Sequence, residues 1–240
     1  RDPPAPADPV AAVRRGGDPV TTAEGAAPGP RRLTERLAPL RDRLRRRGTG
    51  HKTAFVLSGG GNLGALQVGM LRALLENRIL PDLILGCSVG ALNGAPIAAE
   101  PTLATVGRLQ DLWLDLEDRD ILPAGLLPTT VQLARKGESV HGNAGLRAVI
   151  EDVLPDGRFE DLAVPFQCVA TDVEAAGEVW FSRGSMVEPI LASAALPAVL
   201  PPVEIDGRRY IDGAVVNDVP VTRAVELGAT TIYVLHVGSF

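Results

Sequence analysis

The strongest constraint on this chain is a pattern that occurs twice in its first half: a short apolar strand, a glycine turn and then a helix. TAFVLS (53–58) has the β-branched, unbroken apolar character of a buried strand and runs into Gly59, Gly60 and Gly61. Helical spacing follows from Leu63 to Asn77, with Leu66, Met70, Leu74 and Leu75 apolar. LILG (83–86) is a second short strand, and GCSVG (86–90) turns it into an Ala-rich helix from Val89 to Ala99. A helix between two strands returns the chain to the start of the sheet, so the strands lie parallel with a right-handed crossover. The expected fold class is therefore α/β, a three-layer α/β/α domain around a central, mostly parallel sheet.

The rest of the chain fits that class. Residues 103–116 and 144–154 read as helices, with a Pro/Gly-rich stretch at 121–130 between them. PFQCVATDV (165–173) and EVWF (178–181) read as strands, and Met186–Ala195 as a helix. PVEIDGRRYID reads as a hairpin turned at Asp206-Gly207. Asn217 or Asp218 is expected to cap a last helix whose first turn holds Pro220. TTIYVLHV then closes the sheet. The folded domain is expected to span 52–240. Residues 1–50 are Pro-, Ala- and Arg-rich and are expected to be disordered apart from one short basic amphipathic helix.

Charge separates these two parts. Residues 31–47 hold eight arginines against Glu35 and Asp42, a balance of +6, while residues 48–240 hold 13 basic and 23 acidic groups, a balance of −10. An acidic body excludes nucleic acid as the main partner, because duplex binding needs a basic face across the fold. In the basic segment Leu33, Leu37, Leu40 and Leu44 share one helical face, although Pro39 interrupts it. Such a helix has two readings: an interfacial helix resting on anionic lipid as a peripheral membrane contact, or a solvated linker helix or one packed on its own domain. No apolar run approaches the ~18 residues of a membrane span, and the first thirty residues lack the apolar middle of a secretory signal. A cytoplasmic location, with peripheral contact at the membrane, is the expectation. Cys87 and Cys168 make no disulfide framework, and His51, His141 and His236 are scattered, so no metal and no cofactor are expected.

The chemistry concentrates at the two glycine turns. GCSVG fits G-x-S-x-G, where Gly86 and Gly90 leave room for a sharp elbow that projects Ser88. The helix starting at Val89 points its positive end at that hydroxyl. A serine needs a base. One arrangement is a Ser88–Asp212–His236 triad in the chain order of α/β-hydrolases, but only one strand–helix unit precedes Ser88 here. The other is a Ser–Asp dyad in which a buried carboxylate takes the proton directly. Asp212 is the best candidate, because it ends a strand and is followed by the small Gly213-Ala214. Asp206 reads more simply as a hairpin turn and Asp172 as a strand-end structural carboxylate. The loop SGGGNLG (58–64) exposes backbone N–H groups toward one point, as an oxyanion hole requires. Gly59, Gly61 and Gly64 also match G-x-G-x-x-G, so a nucleotide-binding module stays open. That reading needs an acidic residue at the end of the second strand, where this chain has Gly86-Cys87-Ser88.

GGGNLG, GCSVG and ASAALPAVLPPVEIDGRRYIDGAVVNDVP together resemble the patatin-like phospholipases, particularly the bacterial branch related to neuropathy target esterase. The resemblance covers roughly residues 52–240. It implies a Ser88–Asp212 dyad without histidine, metal or cofactor, and an oxyanion hole from Gly59, Gly60 and Gly61. Gly64, Gly86, Gly90 and Gly213 support the motifs. It further implies hydrolysis of acyl esters in phospholipids, lysophospholipids or related lipids. Many members carry Arg or Lys just before the last glycine of the first loop. Leu63 stands there in this chain, so no side-chain cation is expected to hold a phosphate at that point.

Overall fold

The computed structural model describes residues 50–118, 143–154 and 157–238. The basic segment 31–47, the remainder of residues 1–49 and the Pro/Gly-rich stretch 121–130 lie outside the described residues. In chain order the elements are β1 (Thr53–Leu57), α1 (Gly64–Glu76), β2 (Leu83–Cys87), α2 (Val89–Ala99), α3 (Leu103–Asp118) and α4 (Ala144–Val153). There follow β3 (Phe166–Asp172), β4 (Gly177–Phe181), α5 (Val187–Ser193), β5 (Val203–Ile205) and β6 (Arg208–Asp212). The short α6 (Ala214–Asn217), α7 (Val221–Glu226) and β7 (Thr231–Leu235) complete the chain.

The strands form one sheet in the order β5-β6-β3-β2-β1-β7, with β4 also paired to β3. β1, β2, β3 and β7 run parallel, as the alternation of strands and helices predicts; β4 and β6 run against β3. Period-two alternation gives each face its own core. Phe55 and Leu57 of β1 face α1 to α5, where Val68, Leu71, Ile97, Ile150, Ile190 and Leu191 are buried with them. Ala54 and Val56 face the other way, onto Ala224, Val219, Val221 and Leu227 around α7. Helices thus cover both faces, the expected three layers. A fully buried side chain such as Leu57 contributes about 1.5–3 kcal/mol, and truncating it to Ala would cost about 2–5 kcal/mol.

The two edges of β3 decide which strand ends come together. β4 occupies one edge from Cys168 to Asp172. On the opposite edge β2 pairs with Phe166 to Val169 and then stops, and β6 takes over from Ala170 to Asp172. The C-terminal ends of β2 and β6 therefore meet. The hairpin that delivers β6 turns at Asp206 (φ 52°) and Gly207 (φ 75°), the left-handed pair of a two-residue type I′ turn. One expectation fails. Neither Asn217 nor Asp218 caps α7, because the chain first makes the turn of α6 and enters α7 at Pro220 without any side-chain cap. Asn217 instead donates to Glu178, and Asp218 is engaged by the first glycine loop.

Candidate active site

Ser88 occupies the single residue between β2 and α2, at φ 51° and ψ −123°. A side-chain-bearing residue is strained there, and the tight packing around it holds it in place. A Cβ on Gly86 would lie 2.6 Å from the Ala91 backbone, and one on Gly90 would run into the Leu57 carbonyl. Larger residues at either position would push the elbow open. Gly64 and Gly213 are equally enclosed, by Val89 and Trp113 and by the Val169 backbone. The amide of Ser88 donates to Ser193 Oγ at 2.9 Å, while the Ser193 carbonyl accepts from Gly213 N at 3.2 Å. One buried residue at the end of α5 thus ties the backbone of the Ser88 elbow to the turn after β6.

Across that junction Ser88 Oγ donates to Asp212 Oδ2 at 2.7 Å, and the other carboxylate oxygen accepts from Ala214 N at 2.8 Å. Asp212 is 2% exposed. Burial raises its carboxyl from the ordinary 3.8 to about 6, with a smaller push from the negative charge of Asp218; the bonds from Ser88 and Ala214 act in the opposite direction. Such a carboxylate is charged at neutral pH and a better proton acceptor than a solvated Asp. Thr171 Oγ1 donates to the Asp212 carbonyl, which fixes the strand end from the β3 side.

The other candidates fall elsewhere. Asp206 is the hairpin turn. Asp172 is buried at the far end of β3, where it accepts from Ala175 N and pairs with Arg208. His236 lies just past the end of β7, and the Ser88–Asp212 bond is direct, with no ring between the two groups. Burial, aided by the charges of Asp212 and Asp218, holds the Cys87 thiol far above its ordinary range; burial alone does so for Cys168. Neither thiol is a competing nucleophile. Among the described residues no cluster of His, Cys, Asp and Glu has metal-ligating geometry, and no helix is long and apolar enough to cross a membrane.

The first glycine loop lies against Ser88: a Cβ built on Gly59 would be 3.4 Å from Ser88 Cβ. Gly60 (φ 152°) and Gly61 (φ 56°) take conformations that side chains disfavour. Their carbonyls accept from Leu63 N and Gly64 N, while their own amides have no acceptor among the described residues. The Gly59 amide differs, since it donates to Asp218 Oδ1 at 2.9 Å. Beneath the loop, Gln67 Nε2 donates to the carbonyls of Ser58 and Leu235, and Asn93 Nδ2 donates to the Gly64 carbonyl and to Gln67 Oε1. Trp113 Nε1 completes this buried network on Asn93 Oδ1. Sequence reading missed Ser193, Asp218, Gln67 and Asn93. Each works through a partner from another element, and no local spacing marks them.

Comparison with known proteins identifies the family. Residues 55–225 match the family model described as patatin-like phospholipase. Patatin-like phospholipase domain-containing protein 7 of Rattus norvegicus is 33% identical over 199 residues, covering 82% of this chain and 14% of that protein. Neuropathy target esterase sws of Drosophila melanogaster is likewise 33% identical over 82% of this chain and 14% of its own length. Lysophospholipase nte1 of Aspergillus terreus is 30% identical over 82% of this chain and 12% of its own length. The chain thus spans only about 14% of the length of the first of these relatives. The family match covers more than half of the chain, and its span includes Ser88 and Asp212: the chain belongs to the patatin-like phospholipase family.

Proposed function

We propose that this protein is a serine acyl hydrolase that cleaves acyl ester bonds of phospholipids, lysophospholipids or related lipids through a Ser88–Asp212 dyad. The observation that carries the reading is the direct 2.7 Å bond from Ser88 Oγ to a buried carboxylate held at about 6. In the proposed reaction Asp212 accepts the hydroxyl proton as Ser88 Oγ attacks the ester carbonyl. The tetrahedral oxyanion collapses, expels the alcohol with the proton from Asp212, and leaves an acyl-serine. Asp212 then takes a proton from water, hydroxide adds to the acyl carbon, and Ser88 leaves with the proton restored.

The glycine loop supplies the oxyanion donors. Because the Gly59 amide is committed to Asp218, the roles fall to the amides of Gly60 and Gly61, with Gly59 as the hinge that presents them. Each such donor is worth about 2.7–4 kcal/mol in the transition state. The positive end of α2 adds to the field at Ser88. The names of the relatives, phospholipase and lysophospholipase, support lipid esters as the substrate class. The basic segment 31–47 is proposed as a peripheral contact to anionic lipid, which deletion of residues 1–50 should weaken in a vesicle pulldown.

A fluorophosphonate probe tests the dyad. It should label the wild-type chain, lose Ser88→Ala entirely, and label Asp212→Asn slower by roughly 10³–10⁴-fold. His236→Ala should react at close to the wild-type rate. Labelling that vanishes with His236→Ala yet survives Asp212→Asn would establish a triad instead.

A further inference from the structure

Three consecutive glycines make a loop with little intrinsic order, since glycine loses more conformational freedom on folding than any other residue. An oxyanion hole needs the opposite, donors held in place before the reaction. The far end of this loop is secured by the turn that Leu63 N and Gly64 N make onto the carbonyls of Gly60 and Gly61. Its near end has a different anchor. Gly59 N donates to Asp218 Oδ1 at 2.9 Å and more weakly to the Asp218 carbonyl at 3.4 Å, across 159 residues of sequence. The space is closed as well: a Cβ on Gly59 would sit 2.5 Å from Asp218 Oδ1 and 3.4 Å from Ser88 Cβ. The loop is wedged between the two.

We propose that Asp218 is a positioning residue for catalysis, holding the Gly59 end of the glycine loop so that the Gly60 and Gly61 amides are presented to the carbonyl attacked by Ser88. This rests on the proposed hydrolase activity. Asp218 does not touch substrate; it acts through the loop. Its placement follows from the chain path, because α6 is a single turn that starts at Gly213 and ends beside Asp218, with Asn217 N bonded to the Gly213 carbonyl at 2.8 Å. The same short turn therefore links the strand end that carries Asp212, which meets Ser88, to the loop anchor Asp218.

The test compares wild type, Asp218→Asn, Asp218→Ala and Asp218→Glu in the full chain. The readouts are kcat and KM on a soluble short-chain p-nitrophenyl ester, the fluorophosphonate labelling rate, and thermal melting. Asparagine keeps an oxygen at the Oδ1 position, alanine removes it, and glutamate keeps the charge but displaces the acceptor by one methylene. Asp218→Ala should lose roughly 30-fold or more in kcat with KM within about twofold, the signature of a lost transition-state contact. Asp218→Asn should restore kcat to within about threefold of wild type, and Asp218→Glu should not. Should alanine unfold the protein, the contrast between Asn and Glu carries the test. An Asn variant as slow as Ala or Glu, an Ala variant with wild-type kcat, or a loss confined to KM would overturn the proposal. Wild-type protein that the probe does not label would overturn the hydrolase activity with it.

Discussion

Cys87 and Asp212 stand opposite consecutive residues of β3, Val169 and Ala170. Because β2 and β6 approach that edge from opposite directions, the residue after Cys87 is delivered to the Asp212 side chain by strand register. The 2.7 Å contact between Ser88 Oγ and Asp212 Oδ2 is thus a property of sheet topology more than of either local sequence.

Activity should depend on pH through Asp212. If Asp212 is the base, only its charged form is active, so kcat/KM for a soluble ester should rise with pH and level off above about 6. Below that value activity should fall close to tenfold per pH unit. Asp218→Asn removes a like charge that pushes the carboxyl up, so the same limb should move to lower pH. A flat profile between pH 5 and 7 would remove Asp212 from the role.

Stability should respond to Asp212 in the opposite sense to activity. A carboxyl raised from 3.8 to about 6 on folding favours the native state only while it is protonated. That contribution is complete below pH 3.8 and is lost as pH rises through 6. Holding the charge at neutral pH then costs on the order of 3 kcal/mol. Asp212→Asn should therefore melt higher than wild type at pH 8, with the gap closing near pH 4. Thermal melts at the two pH values check it.

Ser193→Ala takes away the acceptor for the Ser88 amide at a buried site. An unsatisfied buried N–H costs about 1–3 kcal/mol, so the melting temperature should drop by several degrees, on the order of 2–4 °C for each kcal/mol. Since the strained Ser88 elbow loses a restraint, kcat should also fall while KM holds. Chemical denaturation and steady-state kinetics on one preparation separate the two effects.

Gly60 and Gly69 make a matched pair for alanine. A Cβ on Gly60 (φ 152°) would lie 2.5 Å from Val237 Cγ2, whereas one on Gly69 within α1 meets nothing within 4 Å. Gly69→Ala should stabilise the protein by about 0.5–1 kcal/mol with unchanged turnover. Gly60→Ala should cost about 1–3 kcal/mol and lower the rate by two orders of magnitude or so. Melting curves and ester turnover on the two variants, side by side, check both.

The two glycine turns and the parallel core were legible because a strand, a turn and a helix are written in adjacent residues. Gly213-Ala214 marked Asp212 for the same local reason. Asp218 was misread as a helix cap because its neighbourhood, Asn217 to Pro220, has the composition of a helix start; its actual partner, Gly59, lies 159 residues earlier. Ser193 had no signal at all inside an Ala-rich helix end. The exchange of β2 for β6 on one edge of β3 also left no trace in any single segment. Long-range hydrogen bonds chosen by topology are invisible to periodicity.

That exchange has a consequence for when Ser88 and Asp212 can meet during synthesis. Ser88 and Asp212 are separated by 124 residues, and they meet only after the Asp206-Gly207 hairpin has docked on the β3 edge that β2 leaves vacant. A ribosome-bound or prematurely terminated chain that ends before Asp212 would carry the elbow and the glycine loop yet lack the proposed base. The order of the strands thus keeps Ser88 and Asp212 apart until the last third of the domain is in place, and on the proposed mechanism incomplete copies would be inactive.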